Sequence, residues 1–252
     1  MKIKNLLILV FLLAIFTNSV SAGSYPSWYF KKNGNLQPKL DKPQEIIFQY
    51  NGYYLDKNYT DESSERVLYL TFDVGYENGN VAKIVDALNA EGVKGSFFVL
   101  SGFVRKNPEL LKEMVEAGHL MCNHSSNHIN FPCSTNEEAT KSIQKLEAVY
   151  KEATGKEISK FFRFPEGAYN EEKLKLVSDM GYKTVFWSLA YADWDDKKQP
   201  NEDKAIKILL ENTHNGAIIL LHPTSSTNAK IIPTLLKEWK KMGYRFETLD
   251  NL

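Results

Sequence analysis

The pattern of hydrophobic positions divides the chain into three parts. Lys2 and Lys4 precede an apolar run over residues 6–16, which is too short to cross a bilayer comfortably, and small or compact residues occupy 20–22. This layout is typical of a signal peptide and predicts cleavage after Ala22, with a retained N-terminal anchor as the alternative. Residues 23–65 are polar and show no clear period, which predicts an N-terminal extension that wraps the core.

From residue 66 onward, short apolar runs alternate with longer amphipathic segments, which is the pattern of βα units around a mostly parallel sheet. The predicted strands are 67–72, 95–100, 120–123, 161–164, 184–187, 217–221 and 245–249. Two helix starts stand out, a capping Asn107 before Pro108 and a capping box from Thr135 to Glu138. The sequence therefore predicts an α/β fold, an irregular (β/α) barrel formed by residues 66–252, with its active site at the C-terminal ends of the strands.

Composition narrows the class of protein. The 252 residues fit one domain of barrel size, and 43% hydrophobic with 25% charged residues is typical of a globular protein. Lys plus Arg equals Asp plus Glu, 31 each, so no global field favours nucleic acid or anionic lipid, and binding must come from a local site. Cys122 and Cys133 do not make a disulfide framework and are predicted to be buried thiols.

Reactive side chains follow successive predicted strands. Asp73 ends the first strand, and His124 and His128 follow the third with a spacing that places both imidazoles on one face of a helical turn, within reach of one cation. Later strands are followed by Arg163 with Glu166 and Gly167, by Asp193 with Trp194, and by Leu221 with His222. Each motif alone fits a cap, turn, surface or core role at least as well as a catalytic one. Together they are the parts of a metal-assisted amide hydrolase.

In this order the motifs resemble those of the polysaccharide deacetylases, the NodB-homology or carbohydrate esterase family 4 group. The resemblance covers about residues 66–250 and rests on five ordered stretches, which are residues 71–73, 124–128, Arg163 with Pro165 and Gly167, 193–194 and 221–222. Within the family, residues 75–79 and 187–190 look like those of the muramic acid deacetylases that help make muramic δ-lactam in spore cortex.

The resemblance implies a role for each matched residue. His124 and His128 would hold one divalent cation, most readily zinc, with manganese, cobalt or magnesium as alternatives. Asp73 would act as general base and His222 as general acid. Arg163 and Asp193 would orient these two residues. The residues expected to contact the substrate are Glu166, Gly167, Trp194 and Leu221.

The resemblance also implies the setting in which the protein works. Its partner would be the glycan strands of peptidoglycan, acted on outside the cytoplasm in the cell wall or in the intermembrane space of the forespore, after a peptidoglycan amidase has removed stem peptides. After signal cleavage the protein would not be integral to the membrane.

Two residues depart from the family pattern. Val74 stands where a second Asp, or Asn in some muramic deacetylases, supplies the third metal ligand, and Glu77 or Asn78 are candidates to replace it. Glu166 stands where muramic deacetylases carry an arginine suited to the lactyl carboxylate, which a glutamate would repel. The alternatives are therefore deacetylation of N-acetylglucosamine or chitin-type chains, and an inactive glycan-binding module.

Overall fold

One sheet of parallel strands surrounds the interior of the protein in the computed structural model, which describes residues 26–252. The strands are β1 Gly52–Tyr53, β2 Arg66–Val74, β3 Ser96–Val99, β4 Leu120–Asn123, β5 Phe161–Phe162, β6 Lys183–Val185, β7 Leu189–Ala190, β8 Ala217–Leu221 and β9 Tyr244–Glu247. They pair in the order β1-β6-β5-β4-β3-β2-β8-β7, with β9 paired to β2. The predicted (β/α) barrel is confirmed as a parallel half-barrel with helices. The predicted signal peptide lies outside the described residues.

The helices lie between the strands. They are α1 Asn80–Ala90, α2 Ser101–Lys106, α3 Pro108–Glu116, α4 Asn136–Thr154, α5 Glu171–Asp179, α6 Glu202–Glu211 and α7 Ser226–Lys241, with 3-10 turns at Lys42–Tyr50, Phe131–Cys133, Pro165–Gly167 and Leu249–Asn251. Within residues 26–252, no helix combines the length and the apolar character needed to cross a membrane.

The central strand β2 divides its residues between two cores. Leu68, Leu70 and Phe72 pack against the helices, whereas Val67 and Tyr69 pack inside the half-barrel with Phe98 and Cys122. Successive side chains of a strand point to opposite faces, so Asp73 continues the inner row and Val74 continues the outer one. This alternation decides which motif residues reach the site.

All seven predicted strands are present, but two short strands were missed. β1 and β7 contain two residues each, too few to produce a period in the sequence. The predicted strand 161–164 stops at Phe162, and three residues later Pro165, which has no N–H to give to a ladder, begins a 3-10 turn. The prediction for 184–187 likewise ran past Val185, where β6 ends.

One of the two predicted helix starts is confirmed and the other is wrong in its chemistry. The Thr135 hydroxyl accepts from the Glu138 N–H at 3.2 Å, and the Glu138 carboxylate accepts from the Thr135 N–H at 2.8 Å. Helix α3 begins at Pro108, but the Asn107 side chain donates to the Phe103 carbonyl at 3.0 Å. Asn107 therefore satisfies the end of α2 rather than the start of α3.

The two cysteines are free, and they differ in burial. Cys122 lies inside the half-barrel, where burial raises the pKa of its thiol to about 12. Cys133 is exposed on a 3-10 turn, so the prediction of a buried thiol is wrong there. Phe131 and Pro132 of the same turn are buried, which leaves Cys133 on its outer side.

The described part of the predicted extension, residues 26–65, packs along the half-barrel. Tyr53 pairs with Val185 of β6, and Leu55 forms an antiparallel bridge to Ala217 of β8. The extension therefore contacts two strands that do not pair with each other in the sheet. At the other end of the strands, Trp28 stacks on Phe186 with the ring centroids 4.3 Å apart.

Candidate active site

The C-terminal ends of the parallel strands bring the predicted reactive residues into one cleft. Asp73 lies at the end of β2, His124 directly follows β4, and Arg163 directly follows β5. Asp193 and His222 follow β7 and β8. The cleft has a volume of ≈ 810 Å³, and Asp73, His124, His128 and His222 all line it.

A buried ion pair lies at the floor of this cleft. The Arg163 guanidinium, which has no exposed surface, donates to the Asp73 carboxylate at 2.8 Å and to the Thr71 hydroxyl at 2.9 Å. Its Nε donates to the Val185 carbonyl at 3.0 Å, and the guanidinium carbon lies 4.1 Å from the centroid of the Phe98 ring. Donors on three sides of the fork are thus used, which fixes the plane of the guanidinium and the orientation of Asp73.

The charge of Arg163 controls the ionisation of Asp73. Burial alone would raise the pKa of Asp73, but the positive charge of Arg163, the neighbouring His124 and His222 and the hydrogen bond from Arg163 together lower it. Asp73 is therefore a carboxylate at neutral pH even though its side chain is only 10% exposed. A carboxylate of this kind can accept a proton from water in the cleft.

The tautomer of His124 is set by a backbone carbonyl. Its Nδ1 lies 2.9 Å from the Arg163 carbonyl oxygen, which can only accept, so Nδ1 carries the proton. Burial lowers the pKa of His124 to about 4, so the ring is neutral and Nε2 presents a lone pair. This lone pair faces the Asp73 carboxylate at 3.6 Å.

The His124 lone pair and the Asp73 carboxylate repel each other at this distance, and a cation bound to both would remove the repulsion. The His128 ring lies beside His124, with centroids 5.1 Å apart and planes at 77°. The donor set of His124 and His128 therefore fits a divalent cation, with Asp73 close by. Among residues 26–252, however, no group of three or more His, Cys, Asp or Glu side chains converges into a complete metal site.

The two histidines do not share a helical turn, contrary to the sequence prediction. Ser125 and His128 have φ values of 72° and 54°, in the left-handed region, and the segment is a loop. The Asn123 side chain accepts from the Ser125 N–H at 2.8 Å, and the Ser125 hydroxyl accepts from the His128 N–H at 3.1 Å. These two side-chain hydrogen bonds to the backbone replace the helix and still bring the imidazoles together.

Neither candidate for the third ligand reaches the cleft. Val74 is fully buried against the helices. The Glu77 carboxylate accepts from the N–H groups of Gly79 and Ala82 at the start of α1. The Asn78 side chain donates to the Thr224 carbonyl at 2.9 Å and accepts from the Asn80 N–H at 3.2 Å. Both side chains are therefore bonded to backbone groups, and neither lines the cleft.

His222 forms the second proton-transfer unit. Its Nδ1–H donates to Asp193 at 2.8 Å, and its backbone N–H donates to the other carboxylate oxygen at 2.7 Å. Burial would lower the pKa of His222, but the hydrogen bond and charge of Asp193 raise it. The Asn228 side chain on α7 donates to Asp193 at 2.7 Å and is held in turn by the Tyr191 hydroxyl. Nε2 of His222 is thereby left as the nitrogen that can donate a proton into the cleft.

Three of the four predicted substrate contacts line the cleft. Glu166 and Gly167 lie on one wall, and Trp194, which is 63% exposed, lies near His222 with ring centroids 6.3 Å apart. Leu221 does not line the cleft, because it occupies the outer row of β8 and is buried against the helices. Its neighbour Leu220 points to the opposite face and lines the cleft instead.

The wall that carries Gly167 fits tightly around the N-terminal segment. Gly167 has a φ of 62°, and a Cβ atom there would lie 2.8 Å from the Trp187 ring and 3.0 Å from the Trp28 Cβ. Trp28 donates from its indole to the Trp187 carbonyl at 2.9 Å, and its backbone N–H donates to the Gly167 carbonyl at 2.8 Å. Glycine is therefore required for both its backbone angle and the close approach.

Sequence reasoning missed the residues that the extension contributes to the cleft. Residues 27–30 and Lys32 line it, and Asn228 supports Asp193 from α7. The three aromatic residues at 28–30 indicate that this segment packs against the core. Their sequence spacing cannot show that they lie beside a strand end more than one hundred residues away.

Comparison with known proteins places this arrangement among carbohydrate-active enzymes. The family of polysaccharide deacetylases matches residues 60–185. The chain is 37% identical over 229 residues to peptidoglycan-N-acetylmuramic acid deacetylase PdaA of Bacillus subtilis, covering 90% of this chain and 85% of that protein. The solved structure of that protein, a family 4 carbohydrate esterase, superposes with a TM-score of 0.84 at 34% identity over 91% of this chain and 97% of that one.

Two further relatives bear on specificity and activity. A peptidoglycan-N-acetylglucosamine deacetylase of Bacillus cereus is 28% identical over 193 residues, which are 75% of this chain and 89% of that protein. A family 4 pseudoenzyme of Bacillus anthracis superposes with a TM-score of 0.71 at 26% identity, covering 80% of this chain and 70% of that one. Similar folds thus occur in proteins named for different substrates and in one named a pseudoenzyme.

Proposed function

This chain belongs to the polysaccharide deacetylase family, and from that premise we propose that it is an exported, metal-dependent hydrolase that removes N-acetyl groups from peptidoglycan amino sugars, foremost N-acetylmuramic acid. The observation that carries the proposal is the pair of oriented proton-transfer groups, Asp73 held by Arg163 and His222 held by Asp193, that line one cleft beside His124 and His128. The 37% identity to a protein named for N-acetylmuramic acid favours that sugar.

The proposed mechanism divides the proton transfers between two residues. Asp73, ionised because of Arg163, takes a proton from the attacking water, and His222, whose pKa Asp193 raises, gives one to the leaving amine. His124 and His128 would hold a divalent cation, which when bound polarises the acetamide carbonyl and acidifies water. The amide C–N bond breaks, and the products are acetate and the free amino sugar.

We also propose where the protein acts and at which step of cell-wall modification. The protein would act on glycan strands outside the cytoplasm, after an amidase has removed stem peptides, and in spore formers its product would lead to muramic δ-lactam in the forespore intermembrane space. Residues 1–22 would direct export, and residues 23–65 would form an extension of the catalytic domain at 66–252.

Two alternatives have specific support. Glu166 lines the cleft and would repel a lactyl carboxylate, which favours N-acetylglucosamine as substrate. Val74 packs in the core and supplies no third ligand, which favours a module that binds glycan without hydrolysing it. Against the second alternative, an inactive module has no physical need for both oriented proton-transfer pairs.

The test of the proposed function is acetate release. The purified protein is incubated with peptidoglycan stripped of stem peptides and, separately, with N-acetylglucosamine oligomers, with a chelator and with added zinc, manganese, cobalt or magnesium. We expect acetate release and a muropeptide mass loss of one acetyl group from muramic residues, stimulated by metal. Release from glucosamine alone would favour the first alternative, and no release under any metal would favour the inactive module.

A change at Asp193 is expected to shift the pH dependence of this activity. Asp193→Asn removes the charge that raises the pKa of His222, so the pKa falls. Because the general acid must be protonated, activity disappears as pH rises through that pKa, and the alkaline limb of the kcat/KM profile is expected to move to lower pH. At pH 7 we expect a loss of about tenfold or more.

The shift of His222 can also be followed without turnover, through the NMR titration of its ring protons. Asp195→Asn is the matched control, since the Asp195 carboxylate accepts from the Lys197 N–H at 2.9 Å and asparagine keeps that bond. An unchanged alkaline limb in Asp193→Asn would contradict the role proposed for this pair.

A further inference from the structure

Two ionisable side chains at the mouth of the cleft take no part in the mechanism above. Lys32, from the N-terminal segment, and Glu166 both line the cleft and both are exposed. Within the described residues neither forms an ion pair with another side chain. Lys32 is the one lysine or arginine among the residues that line this cleft.

The backbone around Lys32 is anchored on both sides. On one side, Trp28 is fixed by its stacking on Phe186 and by its hydrogen bonds to Gly167 and Trp187. The Tyr29 hydroxyl donates to Asp41 at 2.6 Å. On the C-terminal side, the Gln37 side chain donates to the Tyr59 carbonyl at 2.6 Å and to the Asn215 carbonyl at 2.9 Å.

Lys31 and Lys32 therefore have different surroundings although they are neighbours in sequence. The Lys31 ammonium is held at Asp41 and does not line the cleft, whereas Lys32 does. Because Lys32 lines the cleft and is not paired with a described carboxylate, the segment presents one cation to a bound substrate.

The charges in the cleft show what this cation can do. The Asp73 carboxylate is already compensated by the guanidinium of Arg163. Glu166 has no such partner among the described residues, so its field at the mouth opposes any acidic substrate. Lys32 is the group at the same mouth that offsets this field and can pair with a substrate carboxylate.

Building on the proposed deacetylation, we infer that Lys32 binds the carboxylate of an acidic amino sugar, the lactyl group of muramic acid, and is a specificity-determining residue of this enzyme. Residues 26–32 thereby supply the positive charge that binds the lactyl carboxylate, whereas the loop carrying Glu166 repels it. Part of the N-terminal extension thereby belongs to the substrate site.

The experiment compares two peptide-free muramic tetrasaccharides, one with free lactyl carboxylates and one with the same groups converted to carboxamides. Lys32→Gln is expected to lower kcat/KM on the acid about tenfold, through KM, and to change it less than about twofold on the amide. Lys32→Arg keeps the charge and should retain most activity on the acid. Lys39→Gln is the matched control, because Lys39 is exposed in the same segment and does not line the cleft, and we expect no change on either substrate.

The outcomes separate this inference from the proposed function. Equal losses on acid and amide, or no loss on the acid, would overturn the role of Lys32 while leaving deacetylation intact. If the unaltered protein hydrolyses neither substrate, the proposed function fails, and equilibrium binding of the two tetrasaccharides then decides on Lys32. Preference for the acid that disappears in Lys32→Gln supports the inference, and equal affinities or no binding overturn it.

Discussion

Replacing Asp73 by asparagine is expected to lower the rate of acetate release by about 10³-fold, since the amide cannot accept the proton of the attacking water. The loss should appear in kcat rather than in KM, because the side chain keeps its size and the cleft keeps its shape. Acetate release from peptide-free glycan, measured with saturating metal, gives the rate directly. The residual rate should no longer depend on the ionisation of residue 73.

Two controls make this result specific. Asp195→Asn makes the same chemical change in the loop after β7, where asparagine keeps the hydrogen bond to Lys197, and should retain activity within about twofold. Near-ultraviolet circular dichroism of Asp73→Asn should match that of the unaltered protein, which establishes folding. A folded Asp73→Asn protein with more than a tenth of the original kcat would rule out Asp73 as general base.

Replacing Arg163 by methionine is expected to cost about 3–5 kcal/mol of unfolding free energy, as for other buried pairs that lose one partner. Arg163 has no exposed surface, and its removal leaves Asp73, the Thr71 hydroxyl and the Val185 carbonyl without their donor. Activity should fall as well, because the orientation of Asp73 is lost. Urea unfolding followed by tryptophan fluorescence measures the stability change.

The pH dependence of this stability loss identifies its cause. In the unaltered protein, the lowered pKa of Asp73 contributes stability that is present above the ordinary aspartate pKa of about 4 and is lost as pH falls through the folded value. In Arg163→Met, burial raises that pKa, so the stability of the variant falls as pH rises from about 4 towards neutrality. The difference between the two proteins should therefore widen with pH.

Arg105→Met is the matched control for this variant, since Arg105 is exposed in the last turn of α2. It should change the unfolding free energy by less than about 0.5 kcal/mol at every pH. A difference between Arg163→Met and the unaltered protein that stays constant with pH would mean that lost packing, and not an unpaired Asp73, causes the destabilisation.

The residues predictable from sequence are those whose position follows from strand topology. Parallel strands place their C-terminal ends on one side, so Asp73, His124 and His222 could be brought together once the strands were located. Ordered motifs then connected them to a family. The fold and the reactive residues could be predicted because a single sequence contains both the order of the strands and the order of the motifs.

What could not be predicted depends on the orientation of single side chains. Leu221 and Val74 adjoin reactive residues but occupy the outer rows of their strands, and sequence adjacency does not reveal the row. Glu77 and Asn78 are short-range partners of the backbone at α1, a use that competes with metal binding. The loop that holds His128 uses left-handed backbone angles that its residue types permit but do not require.

The bridge between Ser27 and Ala168 also has a consequence for the order of folding. The wall of the cleft joins positions 141 apart in sequence, and closing so long a loop is slow relative to local helix formation. During synthesis the N-terminal segment emerges first, and it has no surface to pair with until residue 168 follows. This wall of the cleft therefore forms late in synthesis, and the sheet is completed later still, because β2 pairs with β8 and β9, which follow residue 168 in the chain.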